Sequence, residues 1–217
     1  MVPFANETSI IIEDTNRSDF NINANQTFQD INTCFKVNSS TLNFNKSPYL
    51  EFRTKNYNVN TQIKYDQDCI TNTPEIKFLG LTIDDTLSWK QHIKQILNKM
   101  CTACFPLRNI KHIVPIDMPR VINFAHIHSI ISKGIILWGS SSFAYKVFIL
   151  QKKIIRIIIN TSPRDSCIEV FKSMEIMTLY SQYIYFFYTQ LIINAYLIQI
   201  TKFINIKLGI IIIYTFQ

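Results

Sequence analysis

The segment EIKFLGLTIDDTLSWKQHI, Glu75 to Ile93, joins two different patterns within one short run. Up to Asp84 it is β-branched and apolar with a glycine at position 80, the mark of short extended strands around a tight turn. From Ser88 it changes period. Ser88 followed by Gln91 makes a capping box, and Trp89, Ile93, Ile96, Leu97, Met100 and Cys104 then recur at helical spacing along one stripe. The changeover between Leu87 and Ser88 therefore divides the chain into a mixed α/β piece, residues 1–87, and a helical piece that follows.

Upstream, Ser18 is placed to cap a helix whose apolar face is Phe20, Ala24, Phe28, Ile31 and Phe35. FANETSIII, residues 4–12, has the form of a hairpin with a polar tip at Asn6-Glu7. TLNFNK, YLEFR and TQIKYD add short strands separated by Asn, Pro and Asp. Downstream, Asp117 and Pro119 open a second helix that Gly134 can end. A third helix, FAYKVFILQKKIIRIIIN, puts Val147, Leu150, Ile154 and Ile157 or Ile158 on one face, with Lys152, Lys153 and Arg156 near the other. After about Tyr188 there is no capping signal and no clear period, so residues 189–217 are set apart as an apolar tail. From Leu179 to Thr201 no residue is charged, which raises a membrane span; interior Asn and Gln and the lack of flanking basic clusters weigh against it. The fold class expected is α+β, antiparallel strands and a helix followed by an all-helical region.

With 47% hydrophobic and 17% charged residues, the 217-residue chain has the composition of a folded protein. Five cysteines, an odd number, and an N-terminus without a secretory pattern point to a reducing, intracellular setting. Four glycines leave little material for a phosphate-cradling loop. The net charge of +7 is unevenly spread: residues 1–87 carry 7 basic and 11 acidic side chains, whereas residues 88–173 carry 13 and 3. A concentrated basic segment suits a polyanion such as nucleic acid, because each neutralised phosphate releases counterions. A solvated helix surface would read the same way.

These segments, in order, resemble the end of the reverse transcriptase of LINE-type, jockey-like non-LTR retrotransposons, from Phe4 to about Tyr188. FANETSIII stands where that family has F/Y-A-D-D-T before a strand, and TLNFNKS resembles its L-x-L-N-x-x-K-T motif. IKFLGLTIDDTLSWKQHI is similar to the stretch running from the primer-grip hairpin into the first thumb helix. HSIISKGIILWGSSS, LQKKIIRII, RDSC and MTLYSQYIY match the landmarks Y-G-I-x-x-W-G, L-Q-K-x-x-I-R-x-I, R-x-x-C and L-T-L-P-x-x-Y-I. The resemblance implies a partial right-hand polymerase palm over 1–87 and a basic thumb and connection region over 88–188. It also implies an ancestral RNA-directed DNA polymerase using two magnesium ions held by oxygen ligands.

At the positions that would do the chemistry the sequence departs from the family. Asn6 and Glu7 replace paired aspartates. Asn6 is a neutral, weaker ligand, and the extra methylene of Glu7 moves its carboxylate by roughly 1 Å, a displacement that costs on the order of 100-fold in a positioned site. Pro3 cannot donate to a sheet ladder, and the strand bearing the family's first aspartate has no counterpart. Lys46 falls on a motif lysine thought to help protonate pyrophosphate. The expectation is a truncated, catalytically inactive fragment with no cofactor of its own and no small-molecule substrate. Its vestigial motif residues are Asn6, Glu7 and Lys46, with primer-grip-like residues Phe78, Leu79 and Gly80. Its partner would be nucleic acid, gripped through Lys90, Lys94, Lys152, Lys153 and Arg156; a membrane held by the apolar tail is the lesser alternative. Asp84-Asp85 reads as a turn rather than a catalytic pair, Cys101-x-x-Cys104 as buried thiols, and His126 and His128 as facing different sides of their helix.

Overall fold

The computed structural model describes residues 10, 12, 17–39, 47–52, 64–65, 68–110, 118–159, 161–162 and 166–204. They form a mixed helix-and-sheet chain, mostly helical, in two compact units that meet in sequence between Leu87 and Ser88.

In the first unit, helix α1 (Arg17–Val37) follows the apolar spacing of the sequence. Ala24, Phe28 and Ile31 are buried, and Phe28 and Ile31 form a small core with Ile70, flanked by Ile10, Phe35 and Tyr49. Ser18 is the second residue of the helix rather than its cap. Two antiparallel hairpins follow: β1 (Lys64–Tyr65) with β2 (Asp68–Cys69), and β3 (Glu75–Phe78) with β4 (Leu81–Asp84). YLEFR does not become a strand as expected. Tyr49 makes an isolated parallel bridge to Asn72, donating its N–H to the Thr71 carbonyl (3.1 Å) and accepting from the Thr73 N–H (3.0 Å). Leu50 is buried while Phe52 is exposed, so the segment anchors by one side chain instead of pairing along its length. The hairpin at 4–12 and the strand TLNFNK lie outside the described residues, apart from Ile10 and Ile12.

The β3–β4 pair registers Phe78 against Leu81, leaving a two-residue turn. Leu79 (φ 47°) and Gly80 (φ 78°) are both left-handed, as turns matching the right-handed strand twist require. Glycine adopts this freely; leucine does not. The Asp85 N–H donates to the Pro74 carbonyl (3.1 Å), closing the open end. Asp84, the last residue of β4, accepts from the Thr86 hydroxyl (2.7 Å), and Asp85 opens the turn that follows, so the Asp-Asp pair spans the end of the strand and the turn.

The second unit is a helical bundle. Helix α2 (Lys90–Ile110) begins after Trp89, whose φ of 62° turns the chain into the helix; the Lys90 N–H reaches the Ser88 hydroxyl at 3.4 Å. Its buried stripe is Ile93, Ile96, Met100 and Cys104, with His92 beside it. The expected second helix is one rod in three parts: α3 (Met118–Ile122), a π-helical turn (Asn123–His128) and α4 (Ser129–Ser132). Across this rod Asn123, Ile127 and Ile131 are buried. The Ser129 hydroxyl donates to carbonyls of the wide turn, Ala125 (2.8 Å) and His126 (2.9 Å). Gly134 (φ 63°) ends the rod, and α5 (Ile135–Trp138) returns at once.

Helix α6 (Ala144–Ile159) packs on α2. Its buried face is Ala144, Val147, Gln151, Ile154, Ile155 and Ile158; Leu150 and Ile157 lie at its margins, so the face is rotated from the one expected. Ile155 joins Cys167, Phe171 and Ile176 in a second cluster under the short helix α7 (Ile168–Ser173). Helix α8 (Leu179–Ile204) then runs unbroken through position 188, where the sequence pattern placed a boundary. Thr178 caps it, its hydroxyl accepting from the Ser181 N–H (3.2 Å). Among the described residues, no helix is long and apolar enough to cross a membrane.

Two substitutions test this geometry by chemical denaturation. Leu79→Asn, which tolerates the left-handed turn and removes an exposed leucine, is expected to stabilise by about 0.5–1 kcal/mol. Gly139→Ala is expected to destabilise by about 1–3 kcal/mol, because its Cβ would stand 2.6 Å from both the Ile135 carbonyl oxygen and the Tyr183 ring.

Candidate nucleic-acid interface

The basic side chains of the helical unit are positioned by the apolar stripes beneath them. With Ile93, Ile96 and Met100 inward, Lys90 and Lys94 stand one turn apart on an exposed side of α2. On α6 the sequence placed Lys152, Lys153 and Arg156 together on an outer face. In the structure the three lie within one arc of about 100° on the side of α6 away from its buried face. Lys152 and Arg156 are half-buried on one flank, and Lys153 is exposed further round. Lys152 lays its ammonium over the Phe148 ring, 4.7 Å from the centroid, and Phe148 meets Tyr180 of α8 edge to face at 5.2 Å. The five residues thus form an exposed pair on α2 and a group of three on the outer side of α6.

Two further cations carry partners, of which only Glu175 lies far away in sequence. Arg120 pairs with Glu175 at 2.6 Å and lies 5.8 Å from the Phe124 centroid. Both ends of that ion pair are largely exposed, so its worth is at most about 1 kcal/mol. Lys146 stands over the Phe143 ring at 5.5 Å. Residues 88–204 carry 14 basic against 4 acidic side chains, so the positive field of this unit persists after these pairings.

Phe78, Leu79 and Gly80 lie at the tip of the β3–β4 hairpin: Phe78 half-buried at the last rung, Leu79 exposed, Gly80 completing the turn. Asn6, Glu7 and Lys46 lie outside the described residues. Among the described residues, no group of three or more His, Cys, Asp or Glu side chains could hold a metal ion. Cys104 is buried and donates to the Met100 carbonyl (3.2 Å), but Cys101 is exposed, which corrects the expectation of two buried thiols. His126 is exposed and His128 half-buried.

The polar groups that hold the bundle together escaped the sequence reading. Buried Gln151 donates to the Met177 carbonyl (3.1 Å) and accepts from the Leu179 N–H (2.9 Å), fixing the start of α8. Gln182 donates to the Ser132 hydroxyl (2.7 Å), which also lies 3.0 Å from Nδ1 of His128. Trp138 donates to the Lys133 carbonyl (2.9 Å), and its ring meets His92 edge to face at 6.2 Å, with Trp89 on the same imidazole at 6.1 Å. No family model, curated protein or solved structure matches the chain.

Burial holds the His92 pKa below its ordinary 6.5, and the ammonium groups of Lys99 and Lys133 add to the depression. The folded state therefore resists a proton that the unfolded chain accepts at about pH 6.5. Stability present above that value is expected to fall as pH drops through 6.5 toward the lower folded pKa. Urea midpoints measured from pH 7.5 to 5.5 check this, and His92→Gln should flatten the dependence.

Proposed function

We propose that this chain corresponds to the palm end and thumb of a reverse transcriptase of a non-LTR retrotransposon, that it does not polymerise, and that its activity is binding of nucleic acid through the basic helical unit. The observation that carries the reading is the ordered series of motifs from FANETSIII to MTLYSQYIY. Two structural facts support it. The primer-grip-like segment is a tight hairpin with its tip at Leu79-Gly80, and the G-I-I-L-W-G segment has a physical reason for the letters it shares with the pattern, although Lys133 stands where the pattern has an aromatic residue. Gly134 takes a left-handed turn, Ile135 and Trp138 are buried, and Gly139 has no room for a side chain.

The donor set at positions 6 and 7 does not fit a two-magnesium site. Asn6 brings no charge and Glu7 one carboxylate on a longer stem, where two divalent ions need several carboxylate oxygens. No catalytic step is assigned to these residues. Binding needs none, since a basic helical surface holds a duplex through phosphates.

Fluorescence anisotropy on an RNA–DNA duplex tests the reading. Affinity is expected to fall between about 50 and 200 mM salt, and the Lys90→Ala/Lys94→Ala variant should lessen the slope of log K against log salt by about 2. Salt-independent binding would overturn it. Primer extension on a homopolymer template with magnesium or manganese is expected to give no product above background, and template-dependent synthesis would contradict the loss of catalysis.

A further inference from the structure

Helix α8 starts inside the helical unit and then leaves its support. Leu179 and Gln182 are fully buried, and Tyr183 packs against Gly139. Beyond Phe186 the burial ends: Phe187 and Tyr188 are exposed, and every residue from Gln190 to Ala195 is exposed. Successive helical residues are about 100° apart, so this run of exposed positions covers the whole circumference. No charge lies between Leu179 and Thr201. A helix apolar on all sides is stable when something covers it, and propensity alone adds little in water.

We infer that this surface is an interface between two copies of the chain, with α8 packing along α8 of the second copy about a two-fold axis. Eight large apolar side chains of α8, from Tyr180 to Ile193, stand 41–60% exposed. At about 100° per residue, all but Ile193 fall within one arc of about 160°. Three tyrosines, a phenylalanine and three aliphatic residues covered there would bury on the order of 800 Å² per chain, the size of a standard interface.

Charge selects the occupant. A two-fold interface sets the same surface against itself, which a charged strip would oppose; this strip is neutral. A nucleic acid would need cations along the strip, and an interfacial lipid-binding helix would carry Lys or Arg on a polar face, but the segment has neither. Two of its polar side chains find partners within the helix. The Thr189 hydroxyl donates to the Tyr185 carbonyl (2.8 Å) and Gln190 to Asn194 (3.2 Å), so covering the face leaves these donors satisfied.

Light scattering coupled to size exclusion, on the full chain from about 1 to 100 µM, tests the inference independently of nucleic-acid binding. A dimer is expected within the micromolar range or below. The Tyr188→Glu/Leu191→Glu variant should be monomeric with an unchanged far-UV spectrum, since both side chains are exposed. Mixing it with a Tyr188→Lys/Leu191→Lys variant should restore a dimer that neither forms alone. A monomeric wild-type chain, a dimer that survives the glutamate substitutions, or no recovery on mixing two folded variants would overturn the inference. So would α8-dependent flotation with phosphatidylcholine vesicles in place of dimerisation.

Discussion

The helical unit depends on the burial of one indole. Trp138 is fully buried, and removing a side chain of that size from water contributes on the order of 4–6 kcal/mol before conformational costs. That burial is compatible with an indole N–H only because the Lys133 carbonyl lies 2.9 Å away across the left-handed Gly134. The turn that ends α4 is therefore the turn that satisfies Trp138. On its other side the ring meets His92 of α2, and the next residue, Gly139, lets Tyr183 of α8 approach the backbone. Four helices are placed around a dipeptide, and changing either residue disturbs more than one contact.

The same centre explains the electrostatic character of its surroundings. His92, edged by two tryptophans and near Lys99 and Lys133, is held neutral, and buried polar contacts are made by amides and hydroxyls instead of ions. Gln151 and Gln182 each join α8 to a different part of the bundle. The charges stay outside, where Arg120 and Lys152 are steadied by an ion pair and by aromatic faces. A positive surface over a neutral core can meet a polyanion without carrying charge into the interior.

What the sequence made legible was periodicity. The stripes of α1 and α2 and the stop at Gly134 follow from residues a few positions apart, and the structure keeps them. Where period failed, so did the reading. YLEFR has a strand's composition, yet tertiary context leaves it a single bridge at Tyr49. Helix α8 is apolar on every side, so it offers no phase to read and its continuation past Tyr188 was missed. Gln151 and Gln182 find partners 28 and 50 positions away, a distance that no local pattern encodes. On the site, the basic residues were legible as types. The buried face of α6 is rotated from the one read in the sequence by its inclusion of Gln151 and Ile155.

The π-helical turn at Asn123–His128 stands in the middle of its rod. It amounts to one residue more than an α-helix would use over the same path. Asn123, Ile127 and Ile131, spaced by four, are all buried, and Ser132 meets Gln182. Shortening the segment by a single residue would let an ordinary α-helical turn span the same path, leaving α4 at its angle and Ile131 in the core. The wide turn thus takes up a residue where it stands, and the far end of the rod still meets α8 through Ser132 and Gln182.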